Sequence, residues 1–298
     1  MSAANLARAA SPSRVAELED PLNRAVYHPL AFALARALQP TPVTPNMVSV
    51  LSAALICIAG ILYTRMGWPA GAVAGFACHL AWHVADGADG DLARLTGRSS
   101  PLGEFIDGAA DYLGHIVLYV LLAAVLDDQW GAWAWLLAVL SGCSRIAQAN
   151  HAETQRRQYL WRVYGVPWLK TQQAAGKRVF AGGTWVTRAA AAVMRGYIAL
   201  GALMAPRSAP LDRVVAEAAG QPARLASIRQ RIRAASRGSI ALQKALGANP
   251  RTVLLGLSML AGSPVWYFLF EAVVLNVVLA ASLAHHNRVE RRLIAELG

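Results

Sequence analysis

Apolar residues along this chain come in long blocks rather than in the short alternations of a soluble domain. Predominantly apolar stretches fall at about 47–66, 70–93, 104–126, 130–150, 251–263 and 265–285. Gly262, Ser263 and Pro264 supply a tight turn between the last two. Ahead of the first block, "PLNRAVYHPLAFALARALQ" (21–39) mixes apolar residues with Arg24, His28 and Arg36. That mixture suits an interfacial helix lying on a membrane. "PTPVTPN" (40–46) then breaks it with three prolines. The pattern predicts an all-α fold: a polytopic membrane helix bundle of six transmembrane helices with an N-terminal interfacial helix.

Four segments follow from these blocks: an arm and interfacial helix at 1–46, spans one to four at 47–150, a long insertion at 151–250, and the last two spans with a basic tail at 251–298. Composition agrees with a membrane protein. The 298 residues are 56% hydrophobic and only 15% charged, where about 25% charged is usual for soluble domains. Mean hydropathy is +0.37. No apolar signal-peptide core is present near the start. Cys57, Cys78 and Cys143 lie in apolar runs without disulfide or metal spacing.

Net charge is +11, with 25 Arg among 28 basic residues. No nucleic-acid motif accompanies them, so no nucleic-acid partner is expected. Their placement points to membrane lipids instead. Four Arg precede residue 47, Arg94 and Arg98 follow the second span, 16 Lys or Arg lie in 151–250, and Arg288, Arg291 and Arg292 close the chain. The loop "DDQWG" (127–131) has none. Basic residues thus fall on alternate sides, which places both ends in the cytoplasm. The insertion reads as a cytoplasmic or interfacial helical cap. Within it, 186–205 is either an interfacial helix, which we favour, or a seventh span that would bury Arg188 and Arg195.

The chemistry is concentrated in "ADGADGDLARLTGRSSPLGEFIDGAADYLGH" (85–115), where five aspartates stand among apolar sequence. At about 100° per residue, Asp86, Asp89, Gly90 and Ala93 share one helix face, while Asp91 points away and reads as an ordinary helix-end charge. Ser100 and Pro101 resemble the cap and first turn of the next helix. Gly103, Asp107 and Asp111 recur every fourth residue and stack on one face. A short loop makes the two helices antiparallel neighbours, which brings Asp86 and Asp89 opposite Asp107 and Asp111. Four carboxylates in a low dielectric repel unless cations neutralise them, and oxygen ligands suit Mg²⁺ or Mn²⁺. Two such ions can clamp a pyrophosphate.

The spacing D-x2-D-G-x2-A-R-x8-G-x3-D-x3-D, met at Asp86, Asp89, Gly90, Ala93, Arg94, Gly103, Asp107 and Asp111, resembles the signature of CDP-alcohol phosphotransferases. The resemblance implies an integral-membrane enzyme of phospholipid synthesis that transfers a phosphoryl-linked group from a CDP-linked donor to a lipid or small alcohol, releasing CMP. It implies two divalent ions on Asp86, Asp89 and Asp107, with Asp111 at the edge of the site as a ligand and as general base. Gly90, Ala93, Arg94 and Gly103 would border the CDP moiety. Asn46, in the short "TPN" element, either joins them or only starts a helix. Arg145 either snorkels or meets an anionic substrate or the acceptor. His83 and His115 read as packing or supporting residues, and Glu104 faces either the site or the loop. The expected location is a bacterial inner membrane with the site facing the cytoplasm, and a homodimer is compatible with it. Two other classes remain at this point: a divalent-cation transporter using the aspartates, and a non-catalytic membrane scaffold.

Overall fold

The computed structural model describes residues 15–167 and 184–297. The N-terminal arm expected ahead of the interfacial helix lies mostly in residues 1–14, outside the described residues. Among the described residues every regular element is helical and no strand occurs.

A π-helical turn (Asn23–Tyr27) leads into α1 (His28–Leu38). After the prolines, α2 (Pro45–Arg65) begins where Thr44 accepts a hydrogen bond from the Met47 amide at 3.3 Å. The chain continues through α3 (Ala70–Leu95), α4 (Pro101–Trp130), α5 (Ala132–Tyr164), α6 (Trp185–Met204), α7 (Ser208–Glu217), α8 (Pro222–Ala235), α9 (Arg237–Ala245), α10 (Ala248–Leu260), α11 (Val265–Leu269), a second π turn (Phe270–Val274) and α12 (Leu275–Leu297). Gly262, at φ +84°, sits in the turn expected between α10 and α11.

Three segments are long and apolar enough to cross a membrane: Pro45–Arg65, Gly103–Trp130 and Val265–Leu297. They coincide with three of the six expected spans. The other three places are helical but less apolar or shorter. His79, His83 and the aspartates dilute α3, and Arg145 and Gln148 dilute α5. At 13 residues, α10 is about 20 Å long, short of the ~30 Å hydrocarbon core. Residues 187–204 and 208–220 form a pair bent by 98°, which counts as a fourth span if it is one broken crossing. The segment 186–205 is therefore one limb of a sharply bent pair.

The chain divides into two compact units. The described part of the first comprises 19–145 and 248–274. Its main core joins Ile56 and Tyr63 of α2, Trp82 of α3, Leu118, Leu122 and Leu126 of α4, Leu255 of α10 and Phe268 of α11. Helices α2, α3 and α4 pack closely because small residues face the contacts: a Cβ on Gly114 would lie 3.1–3.3 Å from Ile56 and the Ala53 carbonyl. A smaller cluster of Ala31, Ala35, Val48, Ala88 and Leu92 docks α1 beside α3. A further Cβ on Gly87 would come within 3.0 Å of Ala31.

The second unit comprises 15–18, 146–247 and 275–297 among the described residues. Its core contains Tyr159, Leu160, Leu211, Val215, Ile228, Ile232 and Leu293. In α8 the buried Ile228 and Ile232 oppose exposed Arg224, Arg231 and Arg233, the amphipathic pattern expected of an Arg-rich cap. Arg162 is buried but paired, to Glu290 and Asp212 at 2.7 Å each.

Candidate active site

The site is built on the α3–α4 hairpin of the first unit. Helix α3 ends in a Schellman arrangement: the Arg98 amide donates to the Ala93 carbonyl (2.8 Å) and the Gly97 amide to the Arg94 carbonyl (3.3 Å). Gly97 takes φ +66°, which favours glycine. Three residues later Ser100 caps α4, its hydroxyl oxygen accepting from the Gly103 amide at 3.0 Å. This tight stop and restart reverse the chain within the eight residues between Arg94 and Gly103.

A cleft opens at this end of the hairpin. Pro45, Asn46 and Ser49 of α2, Asp89, Gly90, Ala93 and Arg94 of α3, Arg98–Ser100 of the loop, and Gly103, Glu104 and Asp107 of α4 line it. The predicted residues Asn46, Asp89, Gly90, Ala93, Arg94, Gly103 and Asp107 therefore share one cleft, and Glu104 faces it too. Asp86, Asp111 and Arg145 do not line it. Asp86 and Asp111 stand one turn along α3 and α4, still close enough for Asp86 to interact electrostatically with Asp89, Asp107 and Asp111. The carboxyls of Asp89 and Asp107 are within hydrogen-bonding reach of each other.

Two residues that the sequence pattern did not single out anchor this arrangement. Ser49 donates its hydroxyl proton to Asp89 Oδ2 at 2.6 Å, tying α2 to the aspartate face. It follows Asn46 by three residues, so helical spacing from the "TPN" element was its available signal. Asp91 is a correction to the expectation of a solvated helix-end charge. It is buried and accepts from Arg94 Nη2 at 2.6 Å. Arg94 lies at the surface, so one helical turn lets Asp91 reach it from below. Asp91 stays outside the cleft lining, but it holds the cation that borders the cleft.

Gly90 is not demanded by packing within the chain. A Cβ there would meet only the Arg94 guanidinium at 3.4–3.8 Å, ordinary contact. The bare position leaves room on the cleft side.

On the far side of Asp111, toward the bundle interior, lies a second set of polar groups. His115 Nδ1 stands 2.8 Å from the Asp111 carbonyl oxygen and 3.3 Å from Asp111 Oδ1. Arg145, buried, reaches His115 Nε2 at 2.8 Å and Glu271 Oε1 at 3.4 Å. Arg145 is thus held by protein groups, and nothing in this placement corresponds to snorkelling. His83 Nε2 sits 2.9 Å from Thr252 Oγ1 and stacks on Tyr27.

Two features of these residues bear on metal binding. Among the described residues, no three Asp, Glu, His or Cys side chains stand ready-arranged around one point as a ligand set. Yet Asp107 Oδ1 and Asp111 Oδ1 are buried without a hydrogen bond, a costly state for a carboxylate. Hard oxygen donors with unused lone pairs fit a divalent cation such as Mg²⁺ or Mn²⁺. Rotation of these short side chains is what would gather them.

A search of curated proteins finds no match to this chain. The sequence model of the CDP-alcohol phosphatidyltransferases, in contrast, matches residues 42–216. That match begins at the prolines before α2, takes in the whole α3–α4 hairpin, and covers more than half of the 298 residues. With its apolar helices and its aspartate-lined cleft, this chain belongs to the CDP-alcohol phosphatidyltransferase family, membrane enzymes of phospholipid synthesis that transfer a phosphatidyl-type group from a CDP-linked donor to an alcohol.

Proposed function

We propose that this protein transfers a phosphoryl-linked group from a CDP-linked donor to an alcohol hydroxyl and releases CMP. The observation that carries the reading is the cleft itself. Seven residues of the expected nucleotide and metal set line one cavity, and the two orphaned carboxylate oxygens of Asp107 and Asp111 lie on the helix that forms its wall.

In this reading Asp86, Asp89 and Asp107 would hold two divalent ions, Mg²⁺ or Mn²⁺, with Asp111 a ligand only at the edge of the site. When bound, these ions neutralise the pyrophosphate and stabilise charge that develops during phosphoryl displacement. Ser49 fixes the rotamer of Asp89. Gly90, Ala93 and Gly103 let the nucleotide approach the backbone closely, and Asn46 hydrogen-bonds it at the start of α2. Arg94, steadied by Asp91, donates charge-assisted hydrogen bonds to the donor phosphates. Asp111 takes the proton from the acceptor hydroxyl. The hydroxyl oxygen bonds to the phosphorus distal to cytidine, the bond from that phosphorus to CMP breaks, and CMP leaves.

Two donor classes suit this chemistry: CDP-diacylglycerol with a small polar acceptor, or a CDP-linked head group with a lipid alcohol. The test is a panel assay with purified protein and Mg²⁺ or Mn²⁺. CDP-diacylglycerol, CDP-choline and CDP-ethanolamine are each supplied with acceptors, and CMP is measured. The expected result is acceptor-dependent CMP release from one donor class. Cation flux into proteoliposomes without CMP release would favour a transporter instead.

We place the protein in a bacterial inner membrane with six spans, both ends and the cleft being cytoplasmic, because basic residues crowd alternate loops. Cysteine tags at 127–131 are expected to label from outside, and tags near Arg98 or Arg291 are not. Labelling of 127–131 and Arg291 from the same side would sink this topology.

A further inference from the structure

Beneath the aspartates, the first unit contains a buried ionic group that the motif does not account for. Glu271 is 0% exposed. It sits in the π turn Phe270–Val274, a local widening of a helix that is often found at functional sites. Its carboxylate accepts from the Tyr267 hydroxyl at 2.9 Å, from the Tyr119 hydroxyl and from Arg145 Nη1 at 3.4 Å, and it forms an ion pair with Arg251, whose Nε stands 3.1 Å away. Burying charge costs several kcal/mol per ion, and such groups can often be replaced by apolar packing without loss of stability. A stability role is therefore a weak explanation for it.

The contacts lead to Asp111. Arginine has N–H donors and no acceptor. Arg145 Nη2 at 2.8 Å therefore requires His115 Nε2 to accept. An imidazole nitrogen that accepts carries no proton, which leaves the ring N–H on Nδ1. Nδ1 in turn points at Asp111, 2.8 Å from its carbonyl oxygen and 3.3 Å from its carboxylate Oδ1. His115 is only 4% exposed at its side chain, whereas Asp111 is 28% exposed. Trp82 meets the His115 ring edge to face at 5.1 Å, so the ring is held from the side as well.

We propose that His115 is a positioning residue for Asp111, with its Nδ1–H tautomer enforced by Arg145 and Arg145 anchored by Glu271. The Nδ1–H group fixes the backbone and limits the rotation of the Asp111 carboxylate, so its free oxygen faces the acceptor hydroxyl. The proposal rests on the reading of Asp111 as the base.

Asparagine and glutamine at position 115 separate the two nitrogens. Asn places its amide N–H near the position of Nδ1, and Gln places its polar end near Nε2. His115→Asn is expected to retain a kcat close to that of the wild type. His115→Gln is expected to lose about 10–100-fold in kcat, the usual cost of removing a partner that orients a ligand residue, with KM for the donor unchanged. Unfolding temperatures of both variants identify any that fail to fold. A tautomer measurement needs no activity: ¹⁵N-histidine NMR of the wild type, assigned through His115→Asn, should show a protonated Nδ1 and an unprotonated Nε2. Glu271→Gln should weaken that preference. An Nε2–H tautomer in the wild type would overturn the proposal, as would a His115→Asn variant as slow as His115→Gln. A wild type that releases no CMP from any donor would sink the transferase reading instead, and the NMR result would still judge the His115 contact.

Discussion

Asp89→Asn is expected to lose donor binding and CMP release together, while Asp111→Asn keeps binding and turns over about 10²–10⁴-fold more slowly. The difference follows from position. Asp89 lines the cleft, accepts from Ser49 at 2.6 Å and faces Asp107 across the hairpin. Removing its charge removes a ligand from the ion that grips the donor. Asp111 lies one turn deeper and outside the cleft lining. A group so placed can act on the acceptor without holding the nucleotide. At about 1.4 kcal/mol per tenfold, the Asp111 effect corresponds to roughly 3–5 kcal/mol of barrier. Calorimetric titration of each variant with a CDP-linked donor in Mg²⁺, beside a CMP-release assay, reads both quantities. If Asp111→Asn lost binding as completely as Asp89→Asn, Asp111 would be a metal ligand alone. The base would then be sought at Glu104, at His115 or in a bound water.

Chelation should abolish CMP release, and Mg²⁺ or Mn²⁺ should restore it. Two carboxylates about 4 Å apart repel by roughly 4 kcal/mol at an effective dielectric near 20, and here four interact. Pyrophosphate would add negative charge to the same place, so the donor has no reason to enter without a cation. The effect should also appear without substrate. Metal at about 100 times its Kd stabilises the folded state by roughly 2.7 kcal/mol, so Mg²⁺ should raise the unfolding temperature of the wild type. Asp86→Asn and Asp107→Asn, each lacking one ligand, should show a smaller rise and little turnover. Full activity in excess EDTA would remove the metal from the mechanism.

Much of the candidate site was legible because helical periodicity converts spacing directly into direction. Asp86, Asp89, Gly90 and Ala93 on one helix, and Gly103, Asp107 and Asp111 on the next, needed only a short loop to face each other. Ser100 was readable as a cap, since capping chemistry is local. The turn at Gly262–Pro264 was readable for the same reason. Periodicity was less informative where a residue's partner lies far along the chain. Asp91 has the helical angle of a solvated charge, but the packing around it and the reach of Arg94 make it a buried ion-pair partner.

The sequence by itself determined the all-α character, the hairpin and the identity of the carboxylates, because apolar run length and 3.6-residue periodicity are properties of neighbouring positions. Only the tertiary structure decided what stands behind those carboxylates. Ser49 reaches Asp89 across 40 residues, and Glu271 reaches Arg145 across 126. Local pattern carries no trace of such pairings, which arise when helices distant in sequence pack side by side. The number of spans was blurred by the same cause. Helices α3 and α5 carry His, Asp, Arg and Gln toward polar partners inside the bundle, which lowers the apolarity by which a span is recognised. The polar groups that make a site are, for this reason, the ones that make its helices look less like membrane segments.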